Sequence, residues 1–170
     1  PVPAFLPIWS LWELKESLKK LNLPVVLKPS SNMGARGVRR IQQKNELEEA
    51  FHFAKNASPN GELIVEDFMD GPELSIDVIV YQNQVFFAGI ADRIIEYAPY
   101  FVETGHNMPS AMAPEQIDQA KEIMRLGIEA LNIHNGAAKG DIKMTPKGPM
   151  IGELAARLSG GFMSAYTYPY

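Results

Sequence analysis

Three stretches of the sequence combine residue types that folding alone does not ask for. The first is the run "KGDIKMTPKGPMIGELAARLSGG", residues 139–161. If "PKG" forms a hairpin loop centred on Lys147, residues equidistant from Lys147 face each other, and Asp141 opposes Glu153. Opposed carboxylates repel unless a proton or a divalent cation lies between them, and hard oxygen ligands suit Mg²⁺. Alternation puts Lys139 and Lys143 on the face of Asp141, and Ala155 and Arg157 on the face of Glu153. Ile142, Met144, Gly152 and Leu154 then point to the other, apolar face. The Arg157 guanidinium suits bidentate recognition of phosphate or carboxylate. The same spacing also describes the solvated face of an edge hairpin, and a one-residue slip would dissolve the pair. Two carboxylates can also serve glycoside hydrolysis, for which nothing nearby argues.

The second stretch is "VVLKPSSNMGARGVRR", residues 25–40, where Lys28 ends a β-branched run and a loop follows. There is no Gly-Lys-Ser/Thr closing the loop and no Rossmann glycine pattern. A loop carrying Ser30, Ser31, Asn32, Gly34 and Gly37 can still offer several backbone N–H and hydroxyl donors to an anion, with Lys28 as a fixed cation, which suits a polyphosphate. Alone, it is also an ordinary flexible turn beside a snorkelling lysine. The third is "VEDFMDGPE", residues 65–73, where an apolar strand reaches Glu66, Asp67 and Phe68 before a turn, with Glu73 beyond it. Such a junction can hold a planar base between apolar walls, its main chain reading the base edge and Glu73 accepting from a ribose. Alone, it is also a hinge bearing exposed acids.

Composition bounds these readings. The 170 residues are 46% hydrophobic and 21% charged, with a formal net charge of −4 and no cysteine. This describes an ordinary globular chain with one domain or two small lobes, without disulfides or thiolate metal sites, and suggests a cytoplasmic setting. Mild acidity gives no case for nucleic acid or an anionic membrane, despite Arg36, Arg39 and Arg40, and no apolar run is long enough to span a bilayer. The ends, "PVPAF" and "AYTYPY", suggest a piece of a longer protein.

The elements that must position these residues follow from periodicity. Ser10 and Glu13 form a capping box for a helix from Ser10 to Leu21, with Leu11, Leu14, Leu18 and Leu21 on one stripe. "PVVLK" and "GVRRI" read as a strand pair, and Asn45 with Glu48 caps a helix to about Ala57 that turns Leu47, Ala50, Phe51 and Ala54 inward. "ELIVEDF", "ELSIDVIVY" and "VFFAGIADRI" read as strands, with Leu74, Ile76, Val78 and Val80 on one face and a tight turn at "QNQ". Residues Tyr97 to Ala113 lack periodicity and read as a long loop. Glu115 to Leu131 is a helix introduced by Pro114, and two strands around "TPKG" close the chain. The pattern is α+β, with residues 1–68 as a small lid subdomain and 69–170 as a larger one.

Taken together and in this order, the three constellations resemble the ATP-grasp superfamily, especially its carbamoyl-phosphate-synthase-like and biotin-carboxylase-like carboxylate ligases. The resemblance covers nearly the whole chain. It implies a fold of two α/β lobes with antiparallel sheets and an ATP site between them. It also implies Lys28 on the phosphates, the Ser30–Gly37 loop over them, Glu66, Asp67 and Phe68 at adenine, and Glu73 at ribose. Asp141 and Glu153 would hold Mg²⁺, with Mn²⁺ as an alternative, Arg157 would steady the transferred phosphoryl group, and Arg93, Glu103 and His106 would stand on the substrate side. The implied partners are ATP, a small carboxylate and an amine acceptor, in a full-length protein for which a homodimer is one assembly. The implied reaction passes through an acyl phosphate. Ala155 departs from the family's common asparagine two positions after the second metal carboxylate, which keeps a non-catalytic, regulatory nucleotide-binding module as the alternative.

Overall fold

A computed structural model describes residues 1–167 and 169. The chain divides into two compact units, Pro3–Phe68 with Ile95–Thr104, and Pro1–Val2 with Met69–Ile94 and Gly105–Tyr170. The class is α+β.

The first unit is built on a four-stranded antiparallel sheet, β1 (Phe5–Ile8), β2 (Val25–Pro29), β3 (Arg39–Ile41) and β4 (Leu63–Asp67), in the order β1-β4-β2-β3. Two helices, α1 (Leu11–Ser17) and α2 (Leu47–Ala57), cover one face. Val25 and Leu27 of β2 and Leu63 and Val65 of β4 pack with Leu14, Leu47, Ala50, Phe51 and Ala54 in one core. The intervening residues Val26, Lys28 and Glu66 therefore belong to the other face of the sheet. The inward stripe of α2 is the one its sequence predicts.

Helix α1 starts where expected. The Glu13 carboxylate accepts from the N–H groups of Trp9 and Ser10, each at 2.8 Å, while Glu13 N–H donates to Ser10 Oγ at 3.2 Å. The helix stops at Ser17, short of the predicted Leu21, because the chain passes into turns whose N–H groups reach back to Glu16 and Ser17 carbonyls. The cap before α2 lies earlier than predicted. Glu46, not Glu48, accepts from the N–H groups of Gln42 and Gln43, at 2.6 and 3.0 Å, and a 3₁₀ turn at Lys44–Glu46 leads into the helix.

A five-stranded sheet in the order β7-β6-β5-β8-β9 carries the second unit, from β5 (Glu73–Tyr81), β6 (Gln84–Glu96), β7 (Val102–Asn107), β8 (Gly136–Thr145) and β9 (Gly148–Ala155), the end of β6 and the start of β7 belonging to the Ile95–Thr104 segment. β7 occupies the segment expected to be a loop. It is an edge strand of mostly exposed residues, so no apolar alternation marks it in the sequence. Helix α3 (Pro114–Ala130) packs Ala120, Met124 and Ile128 on Leu74, Ile76, Val78, Val80, Ala138 and Ile142. Gly140 makes room for this contact, since a Cβ there would lie 2.5 Å from Met124 Sδ.

The β8–β9 hairpin corrects one expectation and keeps its consequence. Pairing near the tip is Thr145↔Gly148, Met144↔Pro149, Lys143↔Met150 and Ile142↔Ile151, so the loop is the two-residue Pro146–Lys147 and not one centred on Lys147. A bulge at Gly152 then shifts the register, and Asp141↔Glu153, Gly140↔Leu154 and Lys139↔Ala155 pair as expected. The bulge also corrects the predicted faces: Ile151 and Leu154 both reach α3, where a Cβ on Gly127 would meet their methyl groups at 2.7 and 2.5 Å.

The capping geometry gives a first test. Ser10→Ala should cost about 1 kcal/mol in urea or thermal unfolding. Backbone N–H donors, from Trp9 for Glu13 and from Gln42 and Gln43 for Glu46, hold both carboxyls below their ordinary range. The stability they contribute is complete above the unfolded carboxylate pKa and fades as pH falls through the lowered folded values. Glu13→Gln should flatten that acid limb of the stability profile.

Candidate functional site

The predicted residues fall into two groups, one in each unit. In the first unit Lys28 Nζ lies 2.8 Å from Glu66 Oε1, with 26% and 11% of the two side chains exposed. The contact is diagonal on the sheet, since Lys28 pairs in register with Ile64 and Glu66 with Val26. Glu66 is therefore a covered carboxylate with a lysine counter-ion, a role the junction motif did not reveal. The main chain beyond it is tied down: Asp67 N–H donates to Ala4 O at 3.0 Å and Phe68 N–H to Pro24 O at 3.2 Å. The Phe68 ring lies 4.9 Å from the Arg40 guanidinium and 6.4 Å from the Phe101 ring.

The loop from Ser30 to Val38 is more organised than a plain hairpin turn. Ser30 donates through its N–H to Glu62 O at 3.1 Å, and Asn32 Nδ2 donates to Ala57 O at the end of α2 at 2.7 Å. The two glycines do different work. Gly37, at φ +78°, abuts Ala57 and Pro29, where a Cβ would come within 2.6 and 2.9 Å, so it seals the loop base. Gly34, at φ +64°, has open space around it, and Ser31 earlier in the loop is exposed.

In the second unit the polar face of the sheet carries Glu73, Ser75 and Asp77 on β5 opposite Lys143, Asp141 and Lys139 on β8, in that register, with Arg93 of β6 opposite Glu73. Arg93 bridges Glu73 and Asp141, the latter at 2.8 Å. Lys139 pairs with the same Asp141 oxygen, and Lys143 lies 3.1 Å from Glu73 Oε2. Glu73, expected with the junction residues, thus has both carboxylate oxygens engaged by cations of this cluster. Lys143 also donates to Gly71 O at 3.1 Å, holding the turn that enters β5. A Cβ on Gly71 would lie 2.1 Å from Met144 O, which makes glycine obligatory there.

Asp141 is the pivot. Its residue is 7% exposed, and its Oδ1 is buried without a hydrogen-bond partner. Burial pushes its carboxyl above the ordinary range, against the downward pull of Arg93 and Lys139. A buried acceptor left open is a costly vacancy that a cation would fill. Glu153, its in-register neighbour, has 54% of its side chain exposed and lies 3.3 Å from Arg157 Nη2. Two hard carboxylates could thus serve as donors, a set that suits Mg²⁺ or Mn²⁺ with water or ligand oxygens completing the shell. Among the described residues no group of three or more His, Asp or Glu side chains gathers for a metal.

Arg157 also donates to Leu158 O at 3.1 Å, and the turn that carries it is anchored from beneath. Ser159 N–H donates to Asp77 Oδ1 at 2.7 Å and its hydroxyl to the other Asp77 oxygen, while Ser75 Oγ lies 3.3 Å from Ser159 Oγ. Lys139, Asp77 and Ser159 were not assigned roles from the sequence. The signal for Asp77 was present as a polar Glu73–Ser75–Asp77 row on an otherwise apolar strand.

With that geometry in place, the comparisons with known proteins are decisive. An ATP-grasp domain model matches residues 21–165. The chain belongs to the ATP-grasp family. It superposes on the crystal structure of an L-amino acid ligase from Bacillus licheniformis with a TM-score of 0.82 and 27% identity, covering 99% of this chain and 39% of that one. It is 28% identical over 166 residues to dapdiamide A synthase of Enterobacter agglomerans, covering 88% of this chain and 37% of the relative. It is also 31% identical over 109 residues to the carbamoyl phosphate synthase large chain of Methanobrevibacter smithii, which is 64% of this chain and 10% of that protein. The ATP-grasp chain thus spans well under half the length of these relatives. Among its described residues no helix is long and apolar enough to cross a membrane.

Lys28 and Glu66 give a stability test within the first unit of this ATP-grasp chain. Lys28→Met should destabilise by roughly 2–3 kcal/mol, because it leaves a covered carboxylate unpaired. Adding Glu66→Gln should recover most of that loss in chemical denaturation. Losses that simply add would show that the two residues are not coupled.

Proposed function

We propose that this chain is the nucleotide-binding, Mg²⁺-dependent domain of a ligase that joins a carboxylate to an amine through an acyl phosphate. The observation that carries the reading is the family match along residues 21–165, which contains Lys28, the Ser30–Gly37 loop, the Glu66–Phe68 junction and the Asp141/Glu153 pair in order. The names of the L-amino acid ligase and dapdiamide A synthase support ligase chemistry with amino-acid-type substrates for the protein as a whole.

In this reading Lys28 exchanges its Glu66 counter-ion for nucleotide phosphate, and the Ser30–Gly37 loop donates to the same phosphates through its exposed hydroxyls and N–H groups. The segment Glu66–Phe68 contacts the base and Glu73 the ribose. Asp141 and Glu153 hold the divalent ion, which supplies charge neutralisation for the transferred phosphoryl group. Arg157 and Arg93 present guanidinium groups to the oxyanion that develops as the carboxylate attacks the γ-phosphorus and ADP departs. The acyl phosphate is then attacked by the amine, releasing phosphate. Exclusion of water by the loop protects that intermediate. Residues 1–68 act as the lid and 69–170 as the metal-carrying part.

The test is ADP release by the full-length protein with Mg²⁺ against panels of carboxylates and amines. Release that requires one member of each class is the expected result, and release without any acceptor or carboxylate requirement counts against ligation. Glu153→Gln, at a half-exposed position, should weaken Mg²⁺-dependent ATP binding by about tenfold while leaving the fold intact. Lys28→Met together with Glu66→Gln should weaken ATP binding with or without metal. Unchanged affinity in both would remove the site assignment.

A further inference from the structure

Asp141 carries more cations than one carboxylate oxygen needs. Arg93 and Lys139 both bind Oδ2, while Oδ1 is left without a partner. Lys139 is 8% exposed, so its ammonium has little access to bulk water. From β5, its in-register neighbour is Asp77, whose two oxygens already accept from the N–H and hydroxyl of Ser159. From β9, its neighbour is Ala155, which offers no side-chain acceptor. A divalent ion on Asp141 would place two further positive charges against Lys139 in a poorly solvated setting, where like charges repel strongly. An ammonium displaced from Asp141 keeps Asp77 as its in-register carboxylate neighbour, and a ligand anion added beside it offsets the charge that Asp141 no longer balances.

We propose that Lys139 is an exchangeable counter-ion of the metal site: it holds Asp141 closed when no divalent ion is bound and turns to a ligand oxyanion when one is. Metal and anion then bind as a coupled pair, each making the site better for the other by the same factor. The oxyanion is a phosphate or a carboxylate group. This inference rests on Asp141 as a metal ligand. It adds a residue whose effect on the metal is opposite in sign to that of a ligand, since Lys139 opposes metal binding until an anion arrives.

The test is Mn²⁺ titration of the full-length protein followed by electron paramagnetic resonance, with no added anion, with inorganic phosphate, and with acetate. In the wild type, phosphate or acetate should tighten Mn²⁺ binding, and the arm that does so identifies the oxyanion. Lys139→Met and Lys139→Gln should each bind Mn²⁺ about tenfold more tightly without anion and lose the enhancement by anion. Asp141→Asn should lose the site. Wild-type Mn²⁺ affinity and full anion enhancement in a folded Lys139 variant overturn the proposal. So does the absence of enhancement by either anion in the wild type, a measurement that needs no variant to fold. If Asp141→Asn binds Mn²⁺ like the wild type, the metal assignment itself falls, which separates the two failures.

Discussion

The covered charge on one face of the second sheet is the constraint to which the rest of that unit answers. Asp141, Glu73, Arg93, Lys139 and Lys143 interlock across three strands, and each is 16% exposed or less by side chain. Charges so poorly solvated are tolerable only when each finds an opposite partner at hydrogen-bond distance. This demand fixes the register of β5 against β8 and β6, because a one-residue shift of any of these strands would carry its charged side chains into the apolar layer beneath α3. The same sheet is thus pinned twice, by Leu74, Ile76 and Val78 on one side and by matched ions on the other.

The first unit obeys a milder version of the rule. Lys28 and Glu66 sit as an ion pair on the face that α1 and α2 do not cover, with Arg40 on the same face against the Phe68 ring, and the apolar core on the other face carries the stability. The ATP-grasp chain thus holds these covered charges in two groups, Lys28 with Glu66 in one unit and Arg93, Lys139 and Lys143 with Glu73 and Asp141 in the other. In each, the cations are already paired with protein carboxylates. An anion approaching either group meets paired and not bare charge, which restrains unspecific anion binding.

Much of this was legible because it rests on local periodicity. The apolar alternation of "ELSIDVIVY" and the stripe of α2 translate directly into buried faces. The Asp141–Glu153 pairing was reached with the wrong loop, since a shorter turn and a bulge at Gly152 cancel. Sequence spacing reports only their sum. β7 was hidden because an exposed edge strand has no apolar signature, and the cap before α2 was displaced because Gln42 and Gln43 present N–H donors to Glu46 without any capping side chain of the usual type. The ionic lattice was half visible. Alternation put Lys139 and Lys143 beside Asp141, but the partnership of Glu73 with them depends on which strands become neighbours, and that is a property of topology.

Gly152 divides the β8–β9 hairpin into two stretches of opposite parity. On the tip side, pairing is counted from a two-residue turn; on the site side, it is counted as though the turn were one residue longer. The Asp141 and Glu153 carboxylates are therefore phased by the bulge and not by the turn. A one-residue change in the turn can be offset at this glycine without moving Glu153 from Asp141, which uncouples the pairing at the base of the hairpin from the geometry of its tip.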